Sequence, residues 1–250
     1  LLTSIAFLIP FSWLIYNSII LVVTDSKVLS YFYKASFNSM MIALIGGLLI
    51  TMAAAVICFT QRVYGSSLNF LVNFAKIGYA SPGIVIAIGV ITTIVFLDKK
   101  IIQLFQMFNI DSIGLIISGS FFILIFAYLI RFLAVAFNPI EAAYQKVNKK
   151  IDFAAKNLGA KSSNLFLRIH TPMLSSSFII AFLFVFIDIL KELPATLVLR
   201  PFNFNTLSIL TFEYASAEQL KMAAIPSLLI MLFAVLALFL IDLFFKKKKV

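Results

Sequence analysis

The charged residues best placed to do chemistry lie near the end of a long uncharged stretch. Asp188 and Lys191 are three residues apart and Asp188 and Glu192 are four apart, so a helix would place all three on one face. Ionisable groups within an apolar segment are costly and usually face a bundle interior or a water-filled path. The spacing predicts a pore-lining or gate element ending near Pro194. The alternative is an interfacial helix end at which Lys191 neutralises Asp188.

Few other patterns in the sequence could do chemistry. Cys58 is the sole cysteine and His170 the sole histidine, so the usual zinc-ligand motifs and cysteine pairs do not occur. A phosphate-binding Gly-x-x-x-x-Gly-Lys-Ser/Thr motif is also absent, so we do not expect this chain to hydrolyse ATP. We predict no catalytic residues, no metal site and no cofactor, and a solvated or capping role for His170.

The composition is typical of a membrane protein. Of the 250 residues, 62% are hydrophobic and 12% are charged, and the mean hydropathy is +1.09. Several uncharged runs reach the roughly 20 helical residues that cross a hydrocarbon core about 30 Å thick. Long apolar runs without alternation favour helices over a barrel. The net charge of +10 does not indicate a nucleic-acid partner, because the basic residues flank the apolar runs, as membrane topology requires.

We therefore predict an all-α membrane protein with about six transmembrane helices. The third run is interrupted by Lys76 and Pro82. It is either one kinked helix or a short surface helix followed by a span over 81–97, and Lys76 favours the second because a mid-membrane lysine costs roughly 3 kcal/mol. The residues Gly46 and Gly47 predict a close helix–helix face. The expected spans are 1–23, 36–59, 68–97, 112–137, 173–193 and 222–245.

The basic residues also predict the orientation. The polar loop before the fifth span, Arg62 and the lysines at 246–249 are placed in the cytoplasm, together with both termini; Lys99 and Lys100 are the dissenting pair. Arg131 is expected to extend towards the cytoplasmic interface, and 98–111 to form an amphipathic loop. Because the chain opens directly on an apolar run without Met, we expect it to be a piece of a longer protein.

The longest polar interruption in the second half of the chain covers 151–172. Asp152 is expected to cap a short helix that Gly159 ends, because a left-handed backbone is cheap only for glycine. A second short helix should run over 161–169, limited by Pro172. Small residues line the bend between the two helices: Ala154, Ala155 and Ala160. The loop either docks another protein or is an ordinary basic cytoplasmic loop.

This loop resembles the EAA loop of binding-protein-dependent ABC transporter permeases. The matching positions are Ala154, Ala155, Gly159, Ile169 and Pro172. Phe153 stands where the family has Glu and Thr171 where it has Leu, and the adjacent Asp152 is the candidate for the missing acid. The literal triplet that begins at Glu141 is out of register, because Val147 stands where the motif needs Gly. The resemblance implies a coupling helix that sits in a groove of a cytoplasmic ATPase. The residues implied in this coupling are the five matching ones together with Asp152 and Ala160.

A second resemblance is more specific. The stretch from Lys191 to Leu207, which reads KELPATLVLRPFNFNTL, closely resembles a signature of ferric-iron ABC transporter permeases, and the stretches around Tyr79 and Arg131 resemble the same family. The family implies a type I importer fold in a single transmembrane domain over 1–250, here the C-terminal half of a permease. It also implies a coupling loop over about 138–172 and an outward gate loop over about 194–220.

The family further implies the partners and the location. These are two cytoplasmic ATP-binding subunits, a second permease half or copy, a periplasmic iron-binding protein and the lipid of the bacterial inner membrane. Thiamine, sulfate and phosphonate importers use related permeases, so another substrate is an alternative. A gradient-driven transporter is a second alternative, which predicts charges or broken helices near the midplane. An intramembrane enzyme is a weaker third, because no paired catalytic residues occur.

Overall fold

The chain folds almost entirely into helices. The computed structural model describes residues 2–25, 27–65, 69–108 and 117–247, and no strand occurs among them. Short breaks separate the helices, and two pieces of irregular helix lie between them, a 3-10 turn at Ile77–Ala80 and a π-helical turn at Leu165–His170. The α-helices are α1 Leu2–Thr24, α2 Val28–Tyr64, α3 Asn69–Lys76, α4 Gly83–Met107, α5 Phe121–Lys146, α6 Lys150–Asn157, α7 Ser162–Asn164, α8 Thr171–Leu190, α9 Pro194–Leu199, α10 Leu207–Ser216 and α11 Leu220–Lys247.

Five helical stretches in the described residues are long and apolar enough to cross a membrane. They are Ser4–Thr24, Val28–Tyr64, Phe121–Lys146, Ser162–Leu190 and Leu220–Asp242. A sixth is formed if Val72–Ala80 and Gly83–Met107 count as one span, and these two pieces meet at a bend of 119°. The all-α membrane architecture with about six spans is confirmed. In the third run the structure has a short helix followed by a separate long helix, the arrangement that Lys76 favours.

The centre of the bundle is built from α2, α5 and α8, which pack pairwise against one another. The predicted glycine face lies between α2 and α8. A Cβ on Gly46 would lie 2.9 Å from Cδ1 of Ile189, and one on Gly47 would lie 3.1 Å from the Phe182 ring. Small residues let two helix backbones approach closely where lipid provides no hydrophobic driving force. The two glycines therefore fix how near α8 lies to α2.

The other helices surround this centre. Helix α1 packs mainly against α11, α10 packs against α11, and α4 packs against α5 and α9. Most large side chains of α1 are exposed, among them Ile9, Tyr16 and Val23. An apolar helix surface of this kind is suited to contact with lipid.

Two helices extend further than the sequence predicts. Helix α2 continues to Tyr64, so Arg62 lies in its last turn, beyond residue 59 where the predicted span ends. Helix α4 continues to Met107, so the predicted amphipathic loop is wrong over its first part; residues 109–116 lie outside the described part of the chain. Asp98 is buried, and its carboxylate accepts hydrogen bonds from the backbone amides of Ile117 and Ser118, just before α5.

Pro172 does not limit the second polar helix, and that prediction is wrong. The stretch Ser162–Leu190 is one continuous helix, with Pro172 in the first turn of α8. The π-helical turn before it explains the tolerance. A proline removes one amide and crowds the carbonyl four residues earlier, whereas a π-turn widens the backbone there. The Thr171 hydroxyl donates to the carbonyl of Phe166, five residues back, at 2.9 Å.

Candidate functional site

The predicted bend forms an elbow, by which we mean α6, the turn after it and α7, residues 150–164. Gly159 has φ +82°, the left-handed conformation that glycine adopts without strain. Its amide donates to the carbonyl of Lys156 at 2.9 Å, and the Ala160 amide donates to the carbonyl of Ala155 at 3.0 Å, which ends α6 as a glycine C-cap does. The prediction that Gly159 ends this helix is confirmed.

Asp152 does not cap the helix, and that prediction is wrong. Helix α6 begins at Lys150, and Asp152 lies inside its first turn. Its Oδ2 accepts from Nε of Arg62 at 2.6 Å, and the other two guanidinium nitrogens donate to the carbonyls of Tyr144 and Val147 at 2.8 and 3.0 Å. The Arg62 and Asp152 side chains are 7% and 14% exposed. Arg62 thus ties the end of α2 to the end of α5 and to α6.

His170 is fully buried, so the prediction of a solvated or capping role is wrong. Its Nε2 lies 3.1 Å from Asp152 Oδ1, a polar contact that lacks the alignment of a hydrogen bond. The imidazole also packs against the rings of Phe59 and Tyr144, with centroids 5.7 and 5.2 Å away. Asp152 therefore contacts both the end of α2 and the π-helical turn that leads into α8.

The outer surface of the elbow is apolar at its centre and basic around it. Phe153 is 63% exposed and Leu158 is 89% exposed. Lys156 and Lys161 are exposed beside them, and Ala154 is exposed on the same helix. Of the other predicted coupling residues, Ala155 is buried and Ala160 and Ile169 are half-buried. Phe153, at the position where the family has Glu, thus presents its aromatic ring to the outside. The carboxylate of the neighbouring Asp152 points inward.

The other group of predicted residues lies at the far end of α8, about 30 Å away for a helix of 20 residues. Asp188, Lys191 and Glu192 do not form one group in the structure. The Lys191 ammonium lies 2.8 Å from Asp188 Oδ1, which is the pairing of the alternative interpretation, and this hydrogen bond raises the pKa of Lys191. Glu192 lies beyond the end of α8, is buried, and does not pair with either.

Glu192 instead pairs with Arg131 of α5. Its Oε2 accepts from Arg131 Nε at 3.0 Å, and its Oε1 accepts from the amide of Ala195 at 3.2 Å. Arg131 also donates through Nη1 to the carbonyl of Ser81 at 2.8 Å. The expectation that Arg131 extends towards the interface is therefore wrong, because its partners lie on two other segments.

Two helix breaks meet at this ion pair. One lies at Ser81 and Pro82, before α4, and the other lies between α8 and α9, where Pro194 begins α9. A Cβ on Gly83 would lie 2.7 Å from Glu192 Oε1 and 3.1 Å from Arg131 Cζ, so any larger residue there would force these side-chain ends to shift. We call Ser81, Gly83, Arg131 and Glu192 the junction.

Hydroxyl groups complete the polar surroundings of the junction. Thr196 donates to the backbone carbonyl of Glu192 at 2.9 Å and lies 2.5 Å from the Tyr128 hydroxyl. Ser208 donates to the same carbonyl at 3.0 Å, which draws α10 towards α9. Irregular backbone at membrane depth is stable only where its polar groups find partners of this kind. The predicted gate loop is thus folded against the bundle.

The partners of Arg131 and Arg62 could not be identified from the sequence. A cation within an apolar run does signal that a partner is needed, but Glu192 lies 61 residues from Arg131 and Asp152 lies 90 residues from Arg62. The out-of-register Glu141 likewise has a structural partner, Lys76, at 2.8 Å. The lysines at 246–249, used to predict orientation, lie outside the side chains that the structure describes.

Comparison with known proteins supports the resemblance drawn from the residues. The chain is 27% identical over 213 residues to the Fe(3+)-transport system permease protein FbpB 2 of Haemophilus influenzae, and the alignment covers 85% of this chain and 39% of that protein. The chain therefore spans less than half the length of this relative. No protein-family model matches the chain. The predicted similarity to ferric-iron transporter permeases is confirmed at this level.

Proposed function

We propose that the chain is the membrane-spanning permease part of an ATP-driven ABC importer. The observation that carries the proposal is the elbow, an exposed bend that a buried Arg62–Asp152 ion pair holds against α2 and that a contact between Asp152 and His170 holds against the helix leading into α8. The similarity to a protein named as an iron-transport permease supports it. In this proposal two cytoplasmic ATP-binding subunits hydrolyse ATP, and a second permease half or copy completes the membrane part.

The elbow is connected so that a force on α6 reaches the centre of the bundle. A partner that displaces α6 moves Asp152, and Asp152 is bound to Arg62 on α2 and contacts His170 at the start of the long helix. Packed helices transmit displacement because their interior is dense and resists compression. Movement of the elbow would therefore tilt α2 and α8 together, and α8 ends at the junction.

The surface of the elbow also indicates how the ATPase would bind. Because Asp152 is paired within the chain, it is not available to a partner. The exposed groups are the apolar Phe153 and Leu158, with Lys156 and Lys161 beside them. We expect the ATPase groove to be apolar at its centre and acidic at its rim, since complementary charge steers and orients binding.

Co-purification tests this proposal. The chain is expressed with its genomic neighbours, and the amount of ATPase that co-purifies is measured. Leu158→Asp places a charge in the centre of the contact and should remove most of the ATPase. Leu158 is 89% exposed, so this change should leave the permease itself folded. Asn157→Ala alters the adjacent exposed residue and serves as the matched control. Retention of the ATPase by Leu158→Asp at the control level would refute docking through the elbow.

The orientation can be tested at the same place. We propose that the elbow and both termini face the cytoplasm of the bacterial inner membrane. Cys58 is the sole cysteine and is buried, so a cysteine introduced by Asn157→Cys at an exposed position of α6 would be the reactive thiol. Labelling by a membrane-impermeant maleimide should require permeabilised cells. Labelling in intact spheroplasts would place the elbow outside and end the proposal.

The proposed cargo is ferric iron delivered by a periplasmic iron-binding protein. The name of the relative supports iron, with thiamine, sulfate or phosphonate as the alternative cargo. The loop over 194–220 is proposed as the outward gate, and its Phe202 is 96% exposed and available to a binding protein. Asp188, Lys191, Glu192 and Pro194 are proposed to line the path or the gate. Normal iron uptake by Asp188→Asn would remove that residue from the path.

A further inference from the structure

The junction has an unusual composition for a purely structural contact. The Arg131 guanidinium is held by a carboxylate oxygen of Glu192 and by the carbonyl oxygen of Ser81, one from each of two helix breaks. Replacing a buried ion pair by apolar residues is often neutral or stabilising. A charged pair that joins two broken helices is therefore not explained by stability alone.

The junction lies along the length of α5 rather than at one of its ends. Arg131 is ten residues from Phe121, where α5 begins, and fifteen from Lys146, where it ends. At 1.5 Å per residue these separations are about 15 Å and 22 Å. Glu192 is 6% exposed and Arg131 is 19% exposed. A carboxylate buried in this way must be paired with a cation or take up a proton, because an unpaired buried charge is expensive.

We propose that the oxygens of Glu192 and Ser81 form a transit site for a hard, oxygen-preferring metal cation, which Arg131 occupies as a tethered cation in this conformation. The inference rests on the proposed transport function. Hard cations take carboxylate and carbonyl oxygens as ligands, with water completing the shell. The incoming cation and the guanidinium compete for the same oxygens, so the site keeps a positive charge whether it is loaded or closed.

The competition has a geometric basis in Gly83. The missing side chain leaves the space in which Glu192 and the guanidinium meet, and a Cβ would come within 2.7 Å of the carboxylate. Tyr128 lies close by, since its hydroxyl contacts Thr196, which in turn donates to the Glu192 carbonyl. The site has one carboxylate, which suits a cation that must leave again.

Binding of terbium(III) tests the proposal, because this trivalent ion prefers oxygen and its luminescence is excited through a nearby tyrosine such as Tyr128. The full chain, purified with its ATPase in nanodiscs, is titrated without nucleotide. We expect Arg131→Gln to bind terbium about tenfold or more tightly than the unsubstituted protein, a difference of about 1.4 kcal/mol. Adding Glu192→Gln to this variant should abolish the gain. Equal affinity in Arg131→Gln and in the double variant would overturn the proposal.

Three further variants keep the result interpretable. Arg131→Lys retains the positive charge and should keep terbium out. Arg131→Met supplies an apolar side chain that needs no partner and should bind terbium as Arg131→Gln does, so the test stands if the glutamine variant does not fold. Glu141→Gln, at a carboxylate that pairs with Lys76 and lies ten residues along α5 from Arg131, should leave terbium binding unchanged when combined with Arg131→Gln. Loss of binding there would contradict the assignment to Glu192. ATPase retention, measured separately, reports on the importer assignment and not on this site.

Discussion

Removing the carboxylate of Asp152 should loosen the elbow by a predictable amount. In Asp152→Ala the Arg62 guanidinium, 7% exposed, loses its counter-charge but keeps its bonds to the carbonyls of Tyr144 and Val147. Removing one partner of a buried ion pair costs about 3–5 kcal/mol. Because Arg62 keeps two hydrogen bonds to backbone carbonyls, we expect a cost near the lower end of this range. A loss of about 3 kcal/mol corresponds to about a 100-fold increase in the equilibrium constant for detaching α6.

Hydrogen exchange measures this detachment directly. In the purified protein, the amides of α6, Lys150–Asn157, should exchange about 100-fold faster in Asp152→Ala, whereas those in the middle of α2 should not change. Alanine favours helix more than aspartate does, by at most about 0.7 kcal/mol, so propensity cannot cancel the effect.

Lys156→Ala is the matched control, because it removes an exposed charge from the same helix. Surface changes of this kind usually stay within about 0.5 kcal/mol, or roughly twofold in exchange rate. If Asp152→Ala accelerates exchange in α6 no more than Lys156→Ala does, the ion pair does not hold the elbow.

Three further substitutions test the packing of the bundle. In Gly78→Ala the new Cβ would lie 2.0 Å from the Ile130 carbonyl oxygen, and since that neighbour is backbone, the monodisperse yield on size exclusion should fall sharply. Gly89→Ala, inside α4 with nothing within 4 Å, should instead raise the melting temperature, because alanine favours helix by about 1 kcal/mol. Asp98→Asn weakens the acceptor of the Ile117 amide and should lower the melting temperature, at a cost of about 1–3 kcal/mol. An unchanged yield for the first, or an unchanged melting temperature for the last, would contradict the geometry described.

The sequence predicts the parts of this fold that depend on local composition. Apolar runs of about 20 residues identify the spans because lipid requires internal hydrogen bonding. The closeness of α2 and α8 follows from Gly46 and Gly47, and the end of α6 follows from Gly159, since each is a property of glycine itself. Such features need no knowledge of what lies across the bundle.

The direction of the polar side chains could not be predicted in the same way. Asp152, His170 and Arg131 all find partners that are distant in sequence, and a charge next to a helix start is equally compatible with capping. Pro172 was misleading because its cost depends on the turn before it, which widens into a π-helix. The partners of these side chains and the effect of Pro172 are set by tertiary packing, which the preferences of single residues do not predict.

Uptake of radioactive ferric iron into proteoliposomes tests the central claim most directly. The vesicles contain the permease and its ATPase, are supplied with the iron-loaded binding protein outside, and are compared with and without ATP inside. We predict uptake that requires ATP and that Leu158→Asp at the elbow abolishes. Uptake driven by an ion gradient in vesicles that contain no ATPase would contradict the account.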